Sequence, residues 1–369
     1  MMKRNILAVV IPALLAAGAV NAAEIYNKDG NKLDLNGRVD ARHLFSDDSG
    51  NNGDATRARI GFKGETQITS DLTGYGRYES EIRSSSNESN GTVRTRFAFA
   101  GLKFADFGSL DYGRNQAIGY EGISYTDVLP IFGGDQSYTD TQTGRKNGLL
   151  TYRNKDFFGL VDGLNFGLQA IGKDKSDTEA GRNTRTDSDL KANGDGWGTS
   201  LSYESDIGLG VIASYSAVQR TAAQNTAADG TGKKAETWAA GVKYDANNLY
   251  LAAIYGEYTN VPFDGGISLD KTEIFEAVAQ YTFDFGLTPS LAYVQAKGKQ
   301  NTSAAGNDDD VTKYVSVAAT YAFNKNFSTY VDYKINLLDS DNPYVQAYKR
   351  GDNGVSDDDV VGVGVKYQF

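Results

Sequence analysis

The last nine residues, VGVGVKYQF, alternate strictly. Val361, Val363, Val365, Tyr367 and Phe369 fall on one face, and Gly362, Gly364, Lys366 and Gln368 on the other. A period of two marks a β-strand with one apolar face. The same beat runs through KNFSTYVDYKIN, where Phe327, Thr329, Val331, Tyr333 and Ile335 oppose Ser328, Tyr330, Asp332, Lys334 and Asn336. In YVSVAATYAF, Val315, Val317, Ala319, Tyr321 and Phe323 share a face, and in GRYESEIR the polar set is Arg77, Glu79, Glu81 and Arg83. Two kinds of connection separate these stretches. TSDLTG, FADFGS, NKDFFGLVDG, SDIG, DANN, TFDFGL and FNKNF are short. Residues 46–54, 84–92, 117–144, 174–195, 219–235, 259–271, 298–311 and 338–357 are long, polar and rich in Asp, Asn and Gly. Short and long alternate, so seven short and eight long connections join sixteen strands. An even number of antiparallel strands, with short turns at one rim and long loops at the other, predicts an all-β fold: a 16-stranded antiparallel transmembrane β-barrel.

A soluble β-sandwich would alternate too. It would not place aromatic residues repeatedly at strand ends, as at Tyr203, Tyr244, Tyr281, Phe283, Tyr321, Phe323 and Phe369. Girdles at a lipid–water boundary explain that placement. Closure of the sheet removes the edges that lipid would leave unsatisfied. Forty-two glycines, 23 tyrosines and 17 phenylalanines beside five prolines agree with strands.

Met1 to Arg4 is basic, Ile6 to Val20 is apolar, and small residues end in Ala22. This reads as a signal peptide over residues 1–22, leaving 23–369 as the barrel domain. The apolar run is too short for a spanning helix, which takes about 20 residues. Loss of Lys3 and Arg4 takes the formal charge from −10 to −12, which argues against nucleic acid as a partner. The absence of cysteine excludes a disulfide framework and a thiolate metal site.

Several blocks carry a resemblance: AEIYNKDGNKLDLNGRVDARHLFSDD, ARIGFKGETQITSDLTGYG, FAGLKFADFGSLDYGRN, LTYRNKDFFGLVDGLNF, QYTFDFGL and the terminal YQF. Together they resemble the general, non-specific porins of enterobacterial outer membranes. The likeness runs through residues 23–369 and weakens in the long loops. It implies a homotrimer of barrels in the Gram-negative outer membrane, each a passive diffusion channel for small hydrophilic solutes and ions. It also implies a third loop folded inward, which would be residues 117–144, with PIFGGD resembling the family's PEFGGD at its tip. Lipopolysaccharide and outer-membrane lipid would surround it, phage or colicin would meet its loops, and no cofactor is implied.

Carried over by the same resemblance, the basic wall of the pore constriction would be Arg38, Arg59, Arg96 and Arg145. Glu65 and Glu79 would stand near the wall, with Arg77 also lining the lumen. Asp127 and Asp135 would supply the acids of the loop. Ile131 stands where the family has a Glu, which predicts an apolar patch in the eyelet and a weakened preference for cations. The other expectation for Ile131 is that it tucks against the barrel wall and anchors the loop. Glu88 and Arg114 would contact the neighbouring subunit.

Other constellations are weaker. Asp308–Asp310 and Asp357–Asp359 read as solvated loop tips before they read as cation sites, since no spacing matches a calcium loop. Lys233 and Lys234 read as a strand-flanking or lipopolysaccharide-facing pair. A single histidine, His43, gives hydrolase chemistry no base to organise, so the chain reads as no enzyme. The competing function is a substrate-preferring channel for a sugar or an anion. An aromatic ladder along the lumen would favour it, and Tyr120, Tyr125 and Tyr138 are its only trace.

Overall fold

The computed structural model describes residues 23–85, 93–134, 142–173, 192–220, 232–261, 269–299, 308–348 and 355–369. The signal-peptide reading of residues 1–22, Asp135, Tyr138 and Glu88 lie outside them. The strands are Ala23–Lys28 (β1), Asn31–Phe45 (β2), Gly53–Asp54 (β3), Arg57–Gln67 (β4), Leu72–Arg83 (β5), Val93–Phe104 (β6), Ser109–Gln116 (β7), Arg145–Asn154 (β8) and Leu164–Ile171 (β9). They continue as Gly196–Glu204 (β10), Leu209–Gln219 (β11), Lys234–Ala246 (β12), Leu249–Thr259 (β13), Lys271–Tyr281 (β14), Leu287–Lys299 (β15), Asp309–Ala322 (β16), Phe327–Asn336 (β17) and Val360–Gln368 (β18).

All belong to one antiparallel sheet that closes where β18 pairs with β2. Eighteen segments make sixteen staves because two of them extend others. The β3 pairs His43↔Asp54 and Leu44↔Gly53 keep the register of β4 on β2. Phe369 exchanges backbone hydrogen bonds with Gly37, at 2.9 and 3.0 Å, and β1 then resumes the same line with Ala23↔Leu35. The first strand segment and the last thus share one stave.

The side chains sort as the period of two requires. Outward-facing Val363, Val365, Tyr367, Val331, Leu291, Val242 and Ile60 are exposed, as they are wherever lipid is the solvent. Inward-facing Ser316, Asp332, Thr237 and Gln169 are buried. At the rim of short turns an aromatic belt is exposed, including Phe104, Phe107, Phe157, Tyr203, Tyr281, Phe285 and Phe323. His43 is exposed, its ring 4.6 Å from that of Phe45 and tilted to it, on the outer face.

Candidate pore constriction

The third loop enters the lumen as a 3-10 helix, Ile118–Thr126. Its polar backbone is satisfied by the wall, which permits irregular chain inside a barrel. Ile118 N donates to Gln169 Oε1 at 2.9 Å, and Gly122 N donates to Ser214 Oγ at 3.1 Å. Ser214 Oγ donates to Gly119 O, and Tyr250 OH donates to Tyr125 O. Thr126 Oγ1 donates to Glu276 Oε2 at 2.5 Å. One side of the loop is thereby bound along β9, β11, β13 and β14.

The tip docks further round. Asp332 Oδ2 on β17 accepts the N–H of both Ile131 (3.1 Å) and Phe132 (3.0 Å), and Gly133 N donates to Tyr314 OH at 3.0 Å. The Ile131 side chain lies on β18, where a methyl at Gly362 would overlap Ile131 Cδ1. The chain then doubles back through Gly133 (φ 87°) and Gly134 (φ 56°), and Gly134 lies against Asp127 so closely that no Cβ fits. Ile131 is therefore an anchor on the wall. Ile131 stays half-buried, so the seat on β18 meets the second expectation, a loop anchor, and leaves part of the side chain open toward the lumen.

Opposite the loop stand the cations. Arg38 and Arg59 are direct cross-strand partners on β2 and β4. Arg59 Nε donates to Glu81 Oε2 at 2.5 Å. Arg96 Nε donates to Glu79 Oε1 at 2.6 Å and its guanidinium lies 3.7 Å from Glu81. Arg77 reaches the other oxygen of Glu79 at 2.8 Å while its guanidinium lies 3.9 Å over the Phe97 ring. Arg145 begins β8 opposite Gln116, at the root of the loop.

Strict alternation would send Arg96 outward, since its neighbour Phe97 is buried inside. A β-bulge prevents this. Glu79 pairs with Phe97 and Ser80 with Thr95, so Arg96 has no partner on β5 and is re-aimed into the lumen.

Asp127 faces this wall. It accepts a hydrogen bond from Tyr120 OH at 2.7 Å and feels the charges of Arg145, Arg96 and Arg59. Burial outweighs them and raises its pKa above the usual carboxylate range. Glu65 keeps the lumen parity of Arg59 and is exposed, but it lies six residues along β4, about 20 Å at strand rise, toward the short-turn rim and away from the arginines. Arg114 donates to Thr95 O at 2.7 Å and to Asn147 at 3.1 Å. It keeps the outward parity of exposed Leu110 and Tyr112 on β7.

The residue list drawn from the sequence omits Asp40, Arg42, Arg57, Glu81 and Lys366. Arg57 Nε lies 3.0 Å from Asp40 Oδ2, and Tyr330 OH donates to Asp40 Oδ1. Parity alone gives them away. RVDAR puts Arg38, Asp40 and Arg42 on one face, and RAR puts Arg57 beside Arg59. Among the described residues, Tyr120 and Tyr125 of the loop are each taken up by a carboxylate, Asp127 and Glu204, and form no ladder. Tyr125 OH donates to Glu204 at 2.6 Å, and the Lys243 ammonium sits 4.7 Å over its ring. The acidic tips are tied down by their neighbours: Asp308 lies 3.5 Å from Lys297, Asp310 3.1 Å from Lys313, and Tyr333 OH donates to Asp359 at 2.5 Å.

A family model described as Gram-negative porin matches residues 28–369. Outer membrane protein F of Serratia marcescens is 56% identical over the whole of both chains. Outer membrane porin N of Escherichia coli K12 is 51% identical, again over the whole of both. The solved structure of Salmonella typhi OmpF in complex with daunomycin superposes with a TM-score of 0.82 at 48% identity, covering 94% of this chain and all of that one.

Proposed function

The chain belongs to the Gram-negative porin family and forms a non-enzymatic diffusion channel in the outer membrane, and from that premise we propose that passage is governed where the third loop faces Arg38, Arg59, Arg96 and Arg145. Cations on one wall and Asp127 on the other set up a transverse field. At several ångströms in a water-like medium each such pair is worth on the order of 1 kcal/mol, and more where the walls exclude water. A dipolar solute aligns in that field, so size and charge select solutes and no tight pocket is needed. The observation that carries the reading is Asp127, half-buried on the loop, held by Tyr120 OH at 2.7 Å and within the field of Arg145, Arg96 and Arg59. With Ile131 seated on β18, the described part of the loop offers a single acid at this point, so the preference for cations is weak.

Three barrels assemble side by side. The outward parity of Arg114, which donates to Thr95 O near the start of β6, supports an interface on that side.

The test is the zero-current potential across a potassium chloride gradient. Asp127→Asn is expected to move it toward anions and Arg96→Gln toward cations. Conducting channels whose potential is unmoved by both would overturn the reading.

A further inference from the structure

Lys366 of β18, Asp40 of β2 and Arg57 of β4 form one cross-strand row on the lumen face. The neighbouring row holds Gln368, Arg38 and Arg59, and Arg42 stands two residues beyond Asp40 on the other side. One acid serves the group, and both its oxygens are occupied, by Arg57 and by Tyr330. The next acid, Glu81, is engaged by Arg59 and Arg96. Among the described residues, Arg38, Arg42 and Lys366 make no ion pair. Arg42 Nε donates to a backbone oxygen, Ala55 O, at 3.1 Å. The Lys366 ammonium lies 5.9 Å from the Tyr330 ring, within the field of Arg38, Arg57 and Arg59. Arg38 Nε is shielded from solvent without a hydrogen-bond partner. Lys366, opposite Asp40, is the diagonal neighbour of both Arg38 and Arg42, roughly 7–8 Å from each, so the three cations flank the place of Asp40 on two strands.

Like charges gathered on a low-dielectric wall concentrate counter-ions. We propose that Arg38, Arg42 and Lys366 form a binding site for a small multivalent oxyanion of the phosphate or sulfate class. The guanidinium of Arg38 supplies parallel N–H donors that match two oxygens of a tetrahedral anion. Lys366 supplies a compact charge that follows the anion without fixing its orientation. Binding is weak enough for release, as conduction demands, and it enriches such anions at the mouth of the passage. The inference rests on the reading that this wall lines the pore.

The test is chloride current through the reconstituted protein, with inorganic phosphate added at constant ionic strength. A saturating fall in current is expected. Lys366→Gln should raise the half-saturating concentration about tenfold, and Lys366→Arg should restore it. Lys271→Gln, which removes the same charge from the outer face of β14, should leave the block unchanged. If Lys366→Gln does not assemble, Arg38→Gln reads the same loss. Phosphate that alters current only as it alters bulk conductivity would overturn the proposal, as would an unchanged block in either variant. Should phosphate block through Lys366 while Arg96→Gln and Asp127→Asn leave the zero-current potential unmoved, the constriction reading falls and the anion site stands.

Discussion

Ile131 shows how one apolar side chain on a loop takes hold of a wall. Its contact with β18 exists because residue 362 has no side chain. Gly362→Val is therefore expected to lift the tip of the loop. The measurable result is noisier single-channel current and new cleavage within residues 127–134 by added protease. Unchanged noise and cleavage would mean that Asp332 alone holds the tip. Asp127 gives a second prediction. Its pKa is raised by burial, so it takes up a proton at a higher pH than an ordinary carboxylate, near 3.9 in the unfolded chain. The raised pKa contributes stability fully below that ordinary value, and the contribution is lost as pH rises through the folded value. For the channel, falling pH removes the acid of the loop early. The zero-current potential should move toward anions while ordinary carboxylates are still ionised, and Asp127→Asn should abolish that movement.

At the scale of the element, the bulge in β6 decides where a charge goes. Removal of Thr95 would restore even pairing and turn Arg96 to the lipid. An arginine on the lipid face near mid-membrane costs roughly 2–4 kcal/mol. The deletion should therefore lower the yield of assembled barrel, and adding Arg96→Ala should recover it. Equal yields with Arg and with Ala would show that the bulge does not steer Arg96. This element also marks what the sequence could and could not tell. Strands and turns were legible because lipid outside and water inside impose a period of two, and because DANN and SDIG suit only tight connections. The bulge was not legible, since one extra residue leaves the residue types on both sides plausible. Lys366, Arg42 and Arg57 were legible by parity and were passed over because the resemblance pointed only to matching positions. That Ile131 tucks against the wall was one of two expectations, but its partner there was beyond reach. Nothing in PIFGGD says that its partner is a glycine more than two hundred residues away.

For the whole molecule, assembly is the testable property. Run unheated in mild detergent, the protein is expected to migrate as a high-mass trimer that collapses on boiling. Glu88→Ala should lower the temperature of collapse while each pore still conducts. A single low-mass band without heating would refute the assembly.

The stave shared by β18 and β1 has a further consequence. Phe369 faces Gly37 and Ala23 faces Leu35, so only the place opposite Asn36 separates the two along the line. The ring of strands has no natural starting point. A linker of about one or two residues between Phe369 and Ala23, with a new opening at the Asn247–Asn248 turn, should give a circularly permuted chain that closes on the same register. Because exposed turns tolerate such openings, its conductance should match that of the original order. A permuted chain that never conducts would mean that the order in which staves are laid down, and not only their adjacency, is part of what the sequence specifies.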